Sequence, residues 1–177
     1  MRIAAARHGH PQVQYHRVEG NRLTFLPDAS VDAAMSCFVF VVLPSREQLR
    51  AVAAEVWRVL RPGGRFVVLD PHPDQVGVQF STFRSGESGA IYQEGDPRTA
   101  RVLLTNGEWL DLEDYFWSAG TYEKVLTEAG FIDLRTEAPL LADTYGLADP
   151  ADSDAWNYEV ERTRPPLLLI HGHRPAI

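Results

Sequence analysis

Hydrophobic and polar positions follow two different rhythms along this chain, and the clearest change between them falls between Ala33 and Asp70. From Ala33 to Val42, valine, phenylalanine and methionine crowd into a run of strand length, which Pro44 ends. Ser45, with Gln48 three residues on, has the form of a capping box. Leu49, Val52, Ala53, Val56, Val59 and Leu60 then recur at three- and four-residue steps, the single apolar stripe of an amphipathic helix. Arg58 and Arg61 suit the negative end of the helix dipole, and Pro62-Gly63-Gly64 stops the helix. Arg65–Asp70 is a β-branched run suited to a strand buried on both faces. Strand, helix and strand in tight succession form a βαβ unit with a right-handed crossover. The fold class expected is therefore α/β, a mostly parallel sheet with helices on its faces.

The flanks read less sharply. Val13–Val18 alternates enough for a further strand, preceded by a short helical stretch from Met1 to about His8. Residues 71–100 are rich in Gly, Pro, Ser and Gln, which predicts a long loop or a cover over a site. Arg101–Thr105 and Glu108–Leu112 alternate on either side of Asn106-Gly107, which predicts a hairpin with a two-residue turn. Ser118 or Thr121 caps a helix whose stripe is Tyr122, Val125, Leu126 and Ala129, closed by Gly130. Phe131–Thr136 follows as a strand. A polar stretch from Ala142 to Arg164 holds a short helix, and Leu167–His171 is the last strand. Neither an internal repeat nor an interdomain linker is visible, so residues 1–177 read as a single domain.

Composition narrows the function classes. The 177 residues are 45% hydrophobic and 23% charged, an ordinary globular balance. A net charge of −7 argues against a broad phosphate-binding surface, so nucleic acid is not an expected partner. No apolar run approaches the ~20 residues that span a bilayer, and the start of the chain lacks the plan of a secretion signal. A reducing cytoplasm is the expected compartment. Cys37 is the only cysteine, so it forms no disulfide within the chain, and it reads as a small buried hydrophobe. No Cys-x-x-Cys or His-Glu-x-x-His occurs. His171 and His173 face one side of a strand without a third ligand in sequence, so no metal is expected.

Four segments resemble the class I S-adenosylmethionine-dependent methyltransferases, from about their third strand onward. Gly20-Asn-Arg-Leu-Thr-Phe-Leu-Pro-Asp-Ala-Ser-Val-Asp-Ala34 is similar to the family's Gly-Asp-Ala-x-x-Leu-Pro-Phe-x-Asp-x-Ser-Phe-Asp stretch. Cys37–Leu43 resembles the end of its fourth strand. Glu55–Asp70 resembles its Glu-x-x-Arg-Val-Leu-Arg-Pro-Gly-Gly segment, and Tyr122–Phe131 its Tyr-x-x-Leu-x-x-Ala-Gly-Phe. The resemblance implies a Rossmann-like fold with an antiparallel last strand, and methyl transfer from S-adenosylmethionine to a small molecule. Residues 71–117 then become the substrate-side insertion, which varies in the family.

The same resemblance marks what is missing. The family's Gly-x-Gly-x-Gly loop lets backbone amides approach the donor at a helix N-terminus, and this sequence contains no Gly-x-Gly. By position Met1 corresponds to the middle of the helix after the second strand, so the first two strands and the acidic residue that binds the ribose are lacking. Asn21 replaces the aspartate that accepts from the adenine amino group; its amide oxygen can still accept. The family's strand order (third, second, first, fourth, fifth, seventh, sixth) then leaves Ala33–Val42 as a long apolar edge. Val13–Val18, a second copy of the chain, a full-length methyltransferase partner or missing upstream strands could cover it.

The resemblance assigns Gly20, Asn21, Arg22 and Leu23 to the adenine, the amides of Arg22 or Leu23 at the ring edge, and Cys37 and Phe38 to the floor beneath the methionine. Each has a plainer reading, as a strand-to-helix turn or a core strand. Asp28 and Asp32 read as structural, as turn former and strand-start cap. His72, just past the Arg65–Asp70 strand, is the candidate general base, or else an exposed loop histidine. Trp109, Tyr115, Phe116 and Trp117 form an aromatic cluster that faces an acceptor or packs the hairpin onto the sheet. Two other functions fit the incomplete motif set. One is a non-catalytic subunit docking through its exposed strand. The other is a cofactor-free enzyme reusing the acceptor pocket, its activity dependent on His72 or Trp109.

Overall fold

A computed structural model of the chain describes residues 9–144 and 158–176. Four strands make the main sheet: β1 (Val31–Cys37), β2 (Leu60–Pro71), β6 (Ile132–Glu137) and β7 (Leu167–His173). Their order is β1-β2-β7-β6, with β1 parallel to β2 and β7 antiparallel to both its neighbours. Three further strands, β3 (Phe83–Ser85), β4 (Pro97–Leu103) and β5 (Trp109–Tyr115), form a separate antiparallel sheet. Among the described residues there are two α-helices, α1 (Arg46–Val59) and α2 (Ala119–Glu128), and three short 3₁₀ helices. No helix among the described residues is long and apolar enough to cross a membrane.

The helix signals in the sequence operate locally. The Ser45 hydroxyl accepts from the Gln48 amide at 3.3 Å, and the Ser118 hydroxyl from the Thr121 amide at 3.2 Å, satisfying first-turn donors of each helix. Leu49, Ala53 and Val56 of α1 and Val125 and Leu126 of α2 are buried on one face of the main sheet, in one cluster with Phe66, Val68, Leu168 and Ile170. Alternate residues of the same strands, among them Met35, Val67 and Leu69, point to the opposite face.

The far end of α1 is closed by a residue remote in sequence. Arg174 donates to the carbonyls of Trp57, Arg58 and Leu60 at 2.7–3.3 Å, and its guanidinium lies 3.7 Å from the Trp57 ring centroid. A cation on the orphan carbonyls of a helix C-terminus is well placed, and stacking adds to it. Arg58 instead turns toward the chain before β1, and Arg61 pairs with Asp32 at 2.6 Å. Replacing Arg174 with methionine is expected to cost about 1–2 kcal/mol. Urea denaturation checks this; a change within about 0.5 kcal/mol, ordinary for a surface substitution, would show that the cap is not structural.

Several sequence expectations are corrected. Val13–Val18 forms no strand; its residues have no regular structure, with Val13 and Val18 exposed and His16 stacked on Phe25. An isolated strand gains no ladder bonds, and no strand of the sheet pairs with this segment among the described residues. The outer edge of β1 consequently has no strand partner among the described residues, and Met35 on it is 62% exposed. The strand is also shorter than Ala33–Val42 suggested: it ends at Cys37, Phe38 has a φ of 54°, and Phe40–Val42 is a 3₁₀ turn. Cys37 is exposed, because the pleat turns Ser36 inward and Cys37 outward. The helix expected over Met1–His8 and most of the 142–164 stretch lie outside the described residues.

The hairpin also differs in its turn. The Gly107 amide donates to the Leu104 carbonyl at 2.9 Å and the Leu104 amide to the Glu108 carbonyl at 2.8 Å. The loop is therefore three residues, Thr105-Asn106-Gly107, with Gly107 at φ 84°. A two-residue turn with Asn106 and Gly107 at its centre would need positive φ at both, and Asn106 lacks it.

Candidate functional site

Two cavities flank the segment that runs out of β1. The first, about 420 Å³, is lined by Gly20, Asn21, Leu23, Met35, Ser36 and Val39, with α1 beneath it. The loop bearing Gly20 is clamped from α1. Glu55 accepts from the Leu23 amide at 2.7 Å, and Arg58 donates to the Leu23 and Leu26 carbonyls, to Glu55 and to Asp28. Arg58, and then the Leu23 amide, hold the Glu55 carboxyl down to about 2 against the opposing effect of burial. Ser36 Oγ is buried without a partner, and the Asn21 amide makes no hydrogen bond among the described residues.

The second cavity, about 390 Å³, lies where β3, β4 and β5 cover the turn after β1 and the end of β2. Its walls are mainly apolar: Phe38, Val41, Val42, Phe83, Val102 and Leu112. Phe38 reaches it from a left-handed backbone, fixed by a 2.9 Å bond from its amide to the Leu69 carbonyl. Such a conformation is uncommon for a bulky residue and marks a constrained position at the strand's carboxyl end.

The polar end of this cavity holds a buried ionic cluster. Arg98 Nε donates to Asp114 Oδ1 at 2.6 Å, with both side chains almost wholly buried, and the Ser85 hydroxyl is 3.2 Å from Asp114 Oδ2. Burial raises the Asp114 carboxyl, with Arg98 opposing. Asp70, at the carboxyl end of β2, is 1% exposed. Burial pushes its carboxyl up to about 7, although the Tyr122 hydroxyl and the Val41 amide face it. Neither of its oxygens finds a partner at good hydrogen-bond geometry. The Tyr122 hydroxyl is raised well above its ordinary value by burial, with the Asp70 charge adding to it.

The residues singled out from sequence divide accordingly. Gly20, Asn21 and Leu23 meet at the first cavity, but Arg22 and Cys37 line neither, and Phe38 belongs to the second. The Leu23 amide already serves Glu55, so it does not stand free for a ligand. His72 caps a short 3₁₀ turn, its Nδ1 accepting from the Asp74 amide at 3.2 Å, and burial lowers its pKa. It lines neither cavity. Trp109 is exposed and stacks with Arg101; Tyr115 donates to Glu113 at 2.8 Å; Trp117 is in the core, its indole N–H on the Leu43 carbonyl at 3.0 Å. None of these aromatics lines the second cavity.

Asp28 and Asp32 are structural, each ion-paired with an arginine. His171 and His173 share a polar cleft with Arg65 and Arg135, His171 bonding Glu137 at 3.2 Å. No metal-binding group of side chains occurs among the described residues. Sequence reasoning missed Ser85, Asp114 and Val41. A signal existed in the alternation of Ala100 and Val102 with Leu112 and Asp114 on facing arms of the hairpin.

Residues 1–68 match the methyltransferase domain family. N-demethylindolmycin N-methyltransferase of Streptomyces griseus is 39% identical over 135 residues, which cover 76% of this chain and 56% of that protein. Demethylmenaquinone methyltransferase of Deinococcus radiodurans is 37% identical over 105 residues, covering 59% of this chain and 40% of that protein. The solved S-adenosylmethionine-dependent methyltransferase from Mesorhizobium loti superposes with a TM-score of 0.58 at 21% identity, over 97% of this chain and 75% of that one. Together with the β1-β2-β7-β6 order and the antiparallel β7, these matches show the class I methyltransferase fold. It spans little more than half the length of the first of these curated relatives.

Proposed function

We propose that this chain contributes the acceptor pocket and the adenine edge of an S-adenosylmethionine-dependent methyltransferase acting on a small molecule in the cytoplasm. The observation that carries the reading is the apolar cavity roofed by β3–β5 beside the end of β1, where ligands of open α/β sheets bind. Its volume and lining suit a small organic molecule. The curated relatives are named for two different small acceptors, N-demethylindolmycin and demethylmenaquinone, which supports the acceptor class.

The first cavity fits the adenosine part of the donor. Asn21 offers an uncommitted amide oxygen to an exocyclic amino group, Ser36 an unpartnered hydroxyl, and Met35 and Val39 apolar walls. S-adenosylmethionine, when bound, supplies an activated methyl group on a sulfonium. The chain's own part is to orient: Phe38, Phe83 and Leu112 confine the acceptor and exclude water from it. A glycine-rich loop for the rest of the donor is not in this sequence, and in family members it precedes the segment seen here.

The test mixes the chain with the first two strands and glycine loop of a family member and measures donor binding by calorimetry. Binding should tighten by at least about tenfold over the chain alone, and Asn21→Ala should remove the gain. A mixture that associates without improving donor binding would contradict the reading. A second reading is favoured by the outer edge of β1, which has no strand partner among the described residues, and by the exposed Met35: a non-catalytic subunit, or a homodimer, that buries this edge. Sedimentation separates the two, since the homodimer has twice the 19.8 kDa mass of the chain.

A further inference from the structure

Four basic side chains gather on the face of the main sheet opposite α1 and α2, and strand register brings them together. Arg65 of β2 stands opposite His173 of β7. His171, two residues back on the same face of β7, stands opposite Arg135 of β6. Side chains opposed in this way have Cβ atoms roughly 5 Å apart. A bulge makes the second pairing possible. The β6–β7 register shifts between Ile132 and Arg135, and Asp133 within the bulge has a φ of 53°. The extra residue turns Arg135 to the histidine face, while its neighbour Thr136 points to α2 and bonds Glu123.

With Asp133 and Leu134 these four residues line a polar cleft of about 590 Å³, which shares no residue with either cavity described above. Its charges are unevenly matched. Glu137 is taken by His171 at 3.2 Å. Arg65, Arg135, Asp133 and His173 make no side-chain hydrogen bond or ion pair among the described residues. Other exposed arginines of this chain, Arg50, Arg61 and Arg101, each hold a carboxylate, as its net charge of −7 favours. Asp133 answers one of the two guanidinium charges in the cleft. The other, with His173 beside Arg65, remains for an anion.

We propose that this cleft binds a phosphate group, held by Arg65 and Arg135 with the β7 histidines between them. Guanidinium forks match the oxygens of a phosphate in geometry and charge, and the His173 ring adds a further N–H. A carboxylate would answer the uncompensated guanidinium but lacks the third oxygen and second charge that engage His173 as well. The proposal stands apart from the donor and acceptor cavities and does not depend on them.

The test titrates the chain with ribose 5-phosphate, inorganic phosphate and ribose at constant ionic strength, following the backbone amides of Asp133, Gly172 and His173. Both phosphates are expected to shift these amides with a Kd tighter than ~5 mM, and ribose is not. Arg65→Gln and Arg135→Gln, both at exposed positions, should each weaken binding at least about fivefold. Arg50→Gln, on α1, removes the same charge and should leave the affinity within about twofold. Ribose 5-phosphate binding at least about threefold tighter than inorganic phosphate would support a phosphate ester as the ligand, and equal affinities free phosphate. No shift at these amides with ~20 mM phosphate, or an equal response to ribose, would overturn the site. An equal loss in Arg50→Gln would show only the general field of the protein, and would overturn it too.

Discussion

Replacing Arg98 with methionine is expected to destabilise the protein by about 3–5 kcal/mol, the cost of leaving one partner of a buried ion pair uncompensated. Both side chains of the Arg98–Asp114 pair are almost wholly buried, and the guanidinium also lies 5.7 Å from the Phe116 ring centroid. With the cation gone, the buried carboxyls of Asp114 and Asp70 lack a counter-charge. The loss should therefore be smaller in mild acid, where both carboxyls take up protons, and grow as pH rises. A double variant, Arg98→Met with Asp114→Leu, should recover most of the stability, because an apolar pair of similar volume replaces a buried ionic one. Urea denaturation of the three proteins at two pH values measures both effects. A loss below about 1 kcal/mol for Arg98→Met would mean that water reaches the pair freely.

The second large effect should come from Asp70. Its ordinary carboxyl value is 3.8, and burial lifts it to about 7 in the fold. Between these values the folded protein keeps a proton that the unfolded chain has released, so stability falls as pH rises through this window. Above about 7 both states are ionised and the full deficit remains. An asparagine side chain in the same place has nothing to ionise. Asp70→Asn should thus match the unaltered protein near pH 4 and exceed it by roughly 2–4 kcal/mol at pH 8. Parallel pH profiles for the two proteins would show that the Asp70 carboxyl is not desolvated in solution.

How far the sequence carries depends on how local each signal is. The α1 helix is legible from its cap and stripe, which lie within one short segment and act on their neighbours. It ends at Val59, however, so Leu60 and the Pro62-Gly63-Gly64 expected to stop it already lie in β2. The Arg174 cap on the same helix is not legible, since it arrives from the other end of the chain. The hairpin is legible as a hairpin but not in its register. A two-residue turn would set Thr105 opposite Glu108, whereas the three-residue loop sets Leu104 there, a shift of one residue. Such a shift changes which side chains face one another. With the observed register Arg98 opposes Asp114; with the other it would oppose Tyr115, and the ionic cluster would be invisible.

The site divides in the same way. Gly20, Asn21 and Leu23 can be grouped from sequence because they are contiguous and resemble a family motif. Cys37 is misplaced by one step of the pleat. The acceptor-side aromatics, Trp109 and Trp117, stand out by residue type, but their environments are an exposed hairpin face and the core. Asp70, Ser85 and Asp114 come from three different strands, so only the packing of the two sheets brings them to one place.

On the proposed reading the donor's adenine edge is met by Gly20, Asn21 and Ser36, apart from the cavity lined by Phe38 and Val102. The most direct measurement is amide chemical-shift mapping of the isotopically labelled chain titrated with S-adenosylhomocysteine. Shifts concentrated at Gly20, Asn21, Ser36 and Val39, with a Kd weaker than ~100 µM (about 5.5 kcal/mol) because the glycine loop is absent, are the expected result. Shifts confined to residues elsewhere, or none at these four at millimolar ligand, would contradict it.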